Sequence, residues 1–129
     1  MATLIIGGNG LVGTRLVSHL CGMGEEVISF SGHKPSCEVR GCTYVQGDVT
    51  EYGTINQILH THKVERILHN AAVSHPKLFL DNPYKIYRTN VVGTLTALEA
   101  ARNYGVSRFV YMSSGAVYGS VSLETVPEE

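Results

Sequence analysis

Residues 4–13, LIIGGNGLVG, end a short apolar run in a glycine cluster spaced for anion capture. Gly8, Gly10 and Gly13 satisfy G-x-G-x-x-G, and Gly7, Gly10 and Gly13 satisfy G-x-x-G-x-x-G. Such spacing does chemistry where a strand ends and a helix begins. One glycine permits the tight turn, another lets backbone N–H groups approach a pyrophosphate without a Cβ in the way, and Gly13 lets the helix pack closely on the strand. The first helical turn, at Leu11 and Val12, then adds partial positive charge. The chemistry implied is the binding of a dinucleotide through its linked phosphates.

A dinucleotide site of this type often has an acid at the end of its second strand, which accepts hydrogen bonds from the adenosine ribose and favours NAD over NADP. Here the strand ends VISFSGHK, so the position falls at Ser31 and no carboxylate is present. Ser31 and Gly32 leave room, and His33 and Lys34 lie nearby. A 2′-phosphate could be held there by hydrogen bonds and a point charge. NADP is favoured on this ground and NAD stays open, because His33 and Lys34 could equally belong to a solvated loop.

These residues need elements to position them, and the chain supplies an alternation of short apolar runs and longer amphipathic stretches. Residues 3–6, 26–30, 42–45, 66–69 and 108–112 read as strands, rich in Val, Ile and Tyr and bounded by glycine or polar residues. Residues 11–23 read as a helix, with Val12, Leu16, Val17 and Leu20 at helical spacing and Gly22 and Gly24 as stop signals. Residues 52–62 repeat the pattern through Ile55, Ile58 and Leu59. A longer helix is expected over 83–104, with Asn82 as N-cap, Pro83 at the first position and Gly105 past the end. Its apolar stripe is Tyr87, Val91, Leu95, Leu98 and Ala101. The alternation implies an α/β fold, a doubly wound, Rossmann-like parallel sheet with right-handed crossovers and helices on both faces. No repeat or linker divides the 129 residues, so one dinucleotide-binding domain is expected over 1–129.

Composition narrows the partners. Hydrophobic residues make up 43% of the chain and charged ones 16%, with a net charge of -1, so disorder is not expected and no basic patch suits nucleic acid or an anionic membrane. No segment could span a bilayer, and MATLIIGG lacks the basic start of a signal peptide. Cys21, Cys37 and Cys42 are an odd set without a C-x-x-C pair, which suits free thiols in the cytoplasm. His60, His62, His69 and His75 invite a metal reading, but their spacing matches no zinc set, so no metal is expected. His69 is expected to end a strand with its ring on a backbone partner.

Five separated motifs carry a more specific resemblance: GGNGLVG at 7–13, GDV at 47–49, ILHNAA at 67–72, NVVGT at 90–94 and SSGAVYG at 113–119. In this order they resemble the extended short-chain dehydrogenase/reductase family, the NAD-dependent epimerases and dehydratases that act largely on nucleotide sugars. The resemblance implies that Asp48 and Val49 bracket the adenine; a turn carboxylate capping the next helix is the other role open to Asp48. It implies that Asn70, Ala71 and Ala72 line the ribose and diphosphate, although Asn70 departs from the apolar residue common there. It further implies that Asn90 holds backbone near the fourth strand, and that Ser114 is the catalytic Ser or Thr, bonding the substrate hydroxyl or keto oxygen. Tyr118 is not the family's catalytic tyrosine.

That family's proton chemistry uses a tyrosine and a lysine four residues later, and no tyrosine from Tyr44 to Tyr118 has such a lysine. A free tyrosine, with a pKa of about 10, is only about 0.1% phenolate at neutral pH, so a neighbouring cation is needed. The sugar nucleotide is bound by a later part of the family's chain, and residues 121–129 resemble the loop leading there. The sheet is accordingly expected to stop after about its fifth strand. Two functions stay open. One is the cofactor part of a nucleotide-sugar epimerase, dehydratase or related reductase, without turnover from these residues alone. The other is a non-enzymatic dinucleotide-binding or redox-sensing module. The resemblance also implies a homodimer formed through the helix that begins near Pro83 together with one that follows the family's tyrosine, so that only half of that interface lies in these residues.

Overall fold

The computed structural model describes residues 1–120. Strand β1 (Ala2–Ile6) is buried at every position, as befits a run, ATLII, with no polar alternation at the centre of a sheet covered on both faces. It pairs in parallel with β2 (Glu26–Ser31) on one side and β4 (Val64–His69) on the other. Outside these lie β3 (Cys42–Gln46) and β5 (Arg108–Tyr111), also parallel, in the order β3-β2-β1-β4-β5. All five expected strands form. The chain steps outward through β2 and β3, then returns past β1 to β4 and β5. That reversal opens a crevice at the carboxyl ends of β1 and β4, where open α/β sheets bind ligands.

Successive side chains of a strand point to opposite faces, and the core divides accordingly. Helix α1 (Leu11–Gly22) brings Val17 against Ile5 and Val27. On the other face, α2 (Tyr52–His62) and α5 (Gly93–Tyr104) cover Leu4, Ile6, Ile28, Phe30 and Ile67. Two short helices, α3 (Pro76–Asp81) and α4 (Pro83–Tyr87), precede α5; α3 was not expected from the sequence.

The long helix expected over 83–104 differs from the structure in two ways. Its ends are as the caps predict: Asn82 Oδ1 accepts from the Lys85 N–H at 3.0 Å, and Gly105 closes α5 at φ 84. Between α4 and α5, however, residues Arg88–Val92 form a π turn, with the Gly93 N–H bonded five residues back to the Arg88 carbonyl. Of the expected apolar stripe only Ala101 faces the core. Tyr87, Val91, Leu95 and Leu98 are exposed, and the buried face is Ile86, Gly93, Ala97, Ala100 and Ala101. The reason is close approach. A Cβ on Gly93 would lie 2.5 Å from Val49 Cγ1, so α5 meets the core through its small residues.

At the amino ends of the strands, Arg66 bonds both Thr3 Oγ1, at 3.1 Å from Nη2, and the Glu25 carboxylate. The guanidinium holds the Glu25 carboxyl below its ordinary range. A depressed acid contributes stability that is present above about pH 4.5 and is lost as pH falls through its folded value. We predict that Glu25→Gln costs about 1–2 kcal/mol at pH 7, since the pair is mostly buried, and removes this acid-side loss. Urea midpoints at pH 7 and pH 3 measure both; an unchanged midpoint at pH 7 contradicts the prediction.

Candidate dinucleotide site

The crevice holds a cleft of about 1010 Å³. Its walls come from the glycine turn after β1 (Gly7, Gly10, Leu11, Val12), the end of β2 (Ser31, His33) and the loop after β3 (Asp48, Val49). The remaining wall is the end of β4 (Asn70, Ala71, Ala72), with Ser114 beyond β5. Residues predicted from separate motifs thus meet around one space.

The glycine turn is built by contact. Gly7 has φ 84, and a Cβ there would lie 2.7 Å from the Ala71 nitrogen. A Cβ on Gly13 would lie 2.2 Å from the Gly7 carbonyl oxygen and 2.7 Å from Gly8 Cα, so the helix seats directly on the turn. Gly10 caps α1 with no side chain bonded across the first turn. Leu11, 89% exposed, therefore leaves the helix's leading amides open to an anion. This end of the cleft fits a pyrophosphate.

Asn9, which carried no expectation beyond its place in the glycine run, ties this turn to β2. Its side-chain oxygen accepts from Ser29 Oγ at 2.6 Å, and its Nδ2 donates to the His33 carbonyl at 2.7 Å. Its backbone N–H donates to Ser31 Oγ at 3.2 Å, and its carbonyl lies 3.2 Å from His33 Nε2. The signal was available in the sequence as two serines, Ser29 and Ser31, inside an otherwise apolar strand. Buried hydroxyls need partners, and an Asn in the facing turn supplies them.

Three predicted residues lie outside the cleft wall. Gly13 acts behind the turn, as described. Asn90 stands behind β4, where its amide accepts from the Val73 N–H at 2.7 Å and donates to the Val73 carbonyl at 2.9 Å. The π turn puts Asn90 opposite that loop. Lys34, expected beside a 2′-phosphate, instead borders a second hollow of about 310 Å³ with Glu38 and Tyr44, because the loop after β2 turns away past His33. The cleft's one Lys or Arg among the described residues is Lys85, which the sequence did not single out.

Asp48 Oδ1 accepts from the Thr50 backbone N–H at 2.8 Å and from its hydroxyl at 2.7 Å. The Thr50 N–H, then its hydroxyl, hold the carboxyl below the ordinary range. This is the turn-carboxylate geometry, with the second oxygen unused in that turn. Val49 is buried against Gly93 while also bordering the cleft. Ser114 is exposed, and its Oγ accepts from the Ala116 N–H at 3.2 Å, which leaves its proton to donate.

The ring of His69 finds a side chain rather than the expected backbone group: Nε2 lies 2.9 Å from Thr94 Oγ1. The Thr94 hydroxyl donates to the Asn90 carbonyl at 2.7 Å, so it accepts from His69, which carries its proton on Nε2. Nδ1 is buried with no partner among the described residues. Burial lowers the His69 pKa to about 4. The unfolded chain therefore takes up a proton first as pH falls. Stability is full above about pH 6.5 and declines toward about pH 4, by up to about 3 kcal/mol. Thermal midpoints across that window should fall in the parent protein and flatten in His69→Leu; a parallel decline in both contradicts this assignment.

Residues 3–129 match the model of the NAD dependent epimerase/dehydratase family. A UDP-glucose 4-epimerase from Lacticaseibacillus casei is 32% identical over 123 residues, which cover 92% of this chain and 37% of that protein. One from Klebsiella pneumoniae is 32% identical over 129 residues, covering 92% of this chain and 93% of that sequence. Among solved structures, the Thermus thermophilus UDP-glucose 4-epimerase in complex with NAD matches with a TM-score of 0.89 at 28% identity. That match covers 100% of this chain and 43% of the Thermus chain. The chain thus spans less than half the length of the Lacticaseibacillus and Thermus proteins. The family model covers nearly the whole chain, which therefore belongs to the NAD-dependent epimerase/dehydratase family.

Proposed function

We propose that these residues form the dinucleotide-binding domain of an enzyme that epimerises or dehydrates nucleotide sugars. The observation that carries this reading is the glycine turn and uncapped α1 amides at the mouth of the switch-point cleft. Gly10, Leu11 and Val12 would hold the diphosphate, with Lys85 on the cleft wall to supply counter-charge. The adenosine ribose meets Ser31 and His33. Asp48, through its second oxygen, and Val49 flank the adenine, while Asn70, Ala71 and Ala72 line the central part. A bound nicotinamide would supply the hydride acceptor and donor. Ser114 donates to the sugar oxygen where that exchange occurs. The 129 residues contain no Tyr-x-x-x-Lys pair, so the proton step needs a base from outside them.

NAD is the dinucleotide proposed. NADP loses the support expected from Lys34, which does not border the cleft. The Thermus relative carries NAD. Calorimetric titration of NAD into the purified chain at pH 8 tests the assignment, with saturable one-to-one binding expected. No binding at millimolar NAD would reject it. A cytoplasmic protein is consistent with both ligands, and no helix among the described residues is long and apolar enough to cross a membrane.

A homodimer is proposed through the outward face of α4, the π turn and α5, where Tyr84, Tyr87, Val91, Leu95 and Leu98 are exposed. Leu95→Glu should shift sedimentation from dimer to monomer; an unpaired parent protein contradicts the proposal.

A further inference from the structure

The π turn grips residues 48–50 from two sides. At its far end the Gly93 N–H bonds the Arg88 carbonyl, and Gly93 packs against Val49, with no room for a Cβ between them. At its near end Arg88 Nη2 donates to Thr50 Oγ1 at 3.2 Å. Arginine has donors and no acceptor, so the Thr50 hydroxyl receives this bond and keeps its own proton for Asp48 Oδ1, 2.7 Å away. The Thr50 backbone N–H reaches the same oxygen at 2.8 Å. These bonds run in one direction, from Arg88 through Thr50 to Asp48.

A carboxylate turns readily about its last side-chain bond unless neighbours hold it. Two donors on Oδ1 hold this one and leave Oδ2 as the oxygen free to accept from a ligand. The donor on an adenine edge is the 6-amino group. Resting on the dinucleotide reading above, in which Asp48 meets the adenine, we propose that Arg88 is a positioning residue of the adenine end, acting through the Thr50 hydroxyl to aim the second oxygen of Asp48 at the 6-amino group. Asp48 borders the cleft, whereas neither Arg88 nor Thr50 does, so Arg88 works through Asp48 and not on the ligand.

The hydroxyl is the link that needs this help. Thr50 is half-buried and Asp48 is exposed, so an unaided hydroxyl is free to turn its proton to water. A cation bonded to its oxygen polarises the O–H and turns it toward the carboxylate. The Thr50 N–H, then its hydroxyl, hold the Asp48 carboxyl below its ordinary range, and the Arg88 charge adds to them. Asn90, on the same turn, holds Val73, so residues 88–93 set the adenine end and the central part of the cleft together.

The test compares NAD with nicotinamide hypoxanthine dinucleotide, which carries a carbonyl oxygen in place of the 6-amino group, by calorimetry on the purified chain. In the parent protein the hypoxanthine form should bind about tenfold more weakly or worse, because it turns an acceptor toward a carboxylate. Arg88→Met should bring that ratio below about threefold, because the carboxylate is no longer held to one orientation. Thr50→Val should do the same, and Thr50→Ser, which keeps the hydroxyl, should retain the parent ratio. Loss of general attraction or of turn structure weakens both forms alike, so the ratio reads the aim of Asp48 alone. A parent ratio retained in Arg88→Met or in Thr50→Val overturns the proposal and leaves dinucleotide binding intact. A parent ratio near one overturns the proposal together with the adenine contact of Asp48, and absence of binding by NAD overturns both the proposal and the dinucleotide reading.

Discussion

Gly13→Val is expected to weaken NAD binding by at least about 100-fold, a loss of about 3 kcal/mol or more. The cause is geometric. A Cβ at this position would sit 2.2 Å from the Gly7 carbonyl oxygen and 2.7 Å from Gly8 Cα, both backbone atoms that cannot swing aside. Helix α1 must lift from the turn, and the amides of Leu11 and Val12 move away from where the diphosphate lies. Their dipoles act within about one turn, so a small displacement is enough. Gly22→Ala, at the far end of the same helix, meets nothing within 4 Å. It should leave affinity unchanged and raise stability by about 0.5–1 kcal/mol. Calorimetry and urea melts of both variants separate the turn from general helix damage. Equal affinity in Gly13→Val and the parent protein contradicts the proposed seat of the phosphates.

Asn90→Ala is expected to have the second largest effect. It leaves both the Val73 N–H and its carbonyl, which are part-buried, without the partners they have now, at about 1 kcal/mol for each. Val73 follows Ala71 and Ala72 on the segment that lines the cleft, so affinity should fall with stability. Asn90→Asp keeps an acceptor for the Val73 N–H but turns a carboxylate oxygen toward the Val73 carbonyl. It should be no better than alanine. Urea midpoints give the stability and NAD titration gives the affinity; an Asn90→Ala protein unchanged in both removes Asn90 from the account.

The strands and the glycine turn were legible because their signals are local. A buried parallel strand is a short apolar run, and a turn that meets a helix end needs glycine at fixed offsets. The cleft residues were legible through motif order, which carried Asp48, Asn70 and Ser114 to one place although they are far apart in the chain. The exposed stripe of α5 was misread for a physical reason. Leu95 and Leu98 outweigh Ala97 and Ala100 in any count of apolar size, but the close contact of Gly93 with Val49 admits only the small face. The π turn at Arg88–Val92 leaves no mark in composition, since it shifts the register of a helix whose caps are ordinary. Lys34 borders the smaller hollow and not the cleft, because proximity in sequence to Ser31 does not fix the path of the loop after β2. Asn9 was missed because its value lies in four bonds to residues 20 or more positions away. The suggested continuation of the site through residues 121–129 lies outside the described residues.

Backbone amides at the start of α1 are the heart of the account, and nuclear magnetic resonance observes them individually. In an amide correlation spectrum of the labelled chain, added NAD should move Gly10, Leu11 and Val12 most, with Ala71 and Ala72 following. Shifts confined to Lys34, Glu38 and Tyr44 around the smaller hollow, or none at saturating NAD, would contradict it.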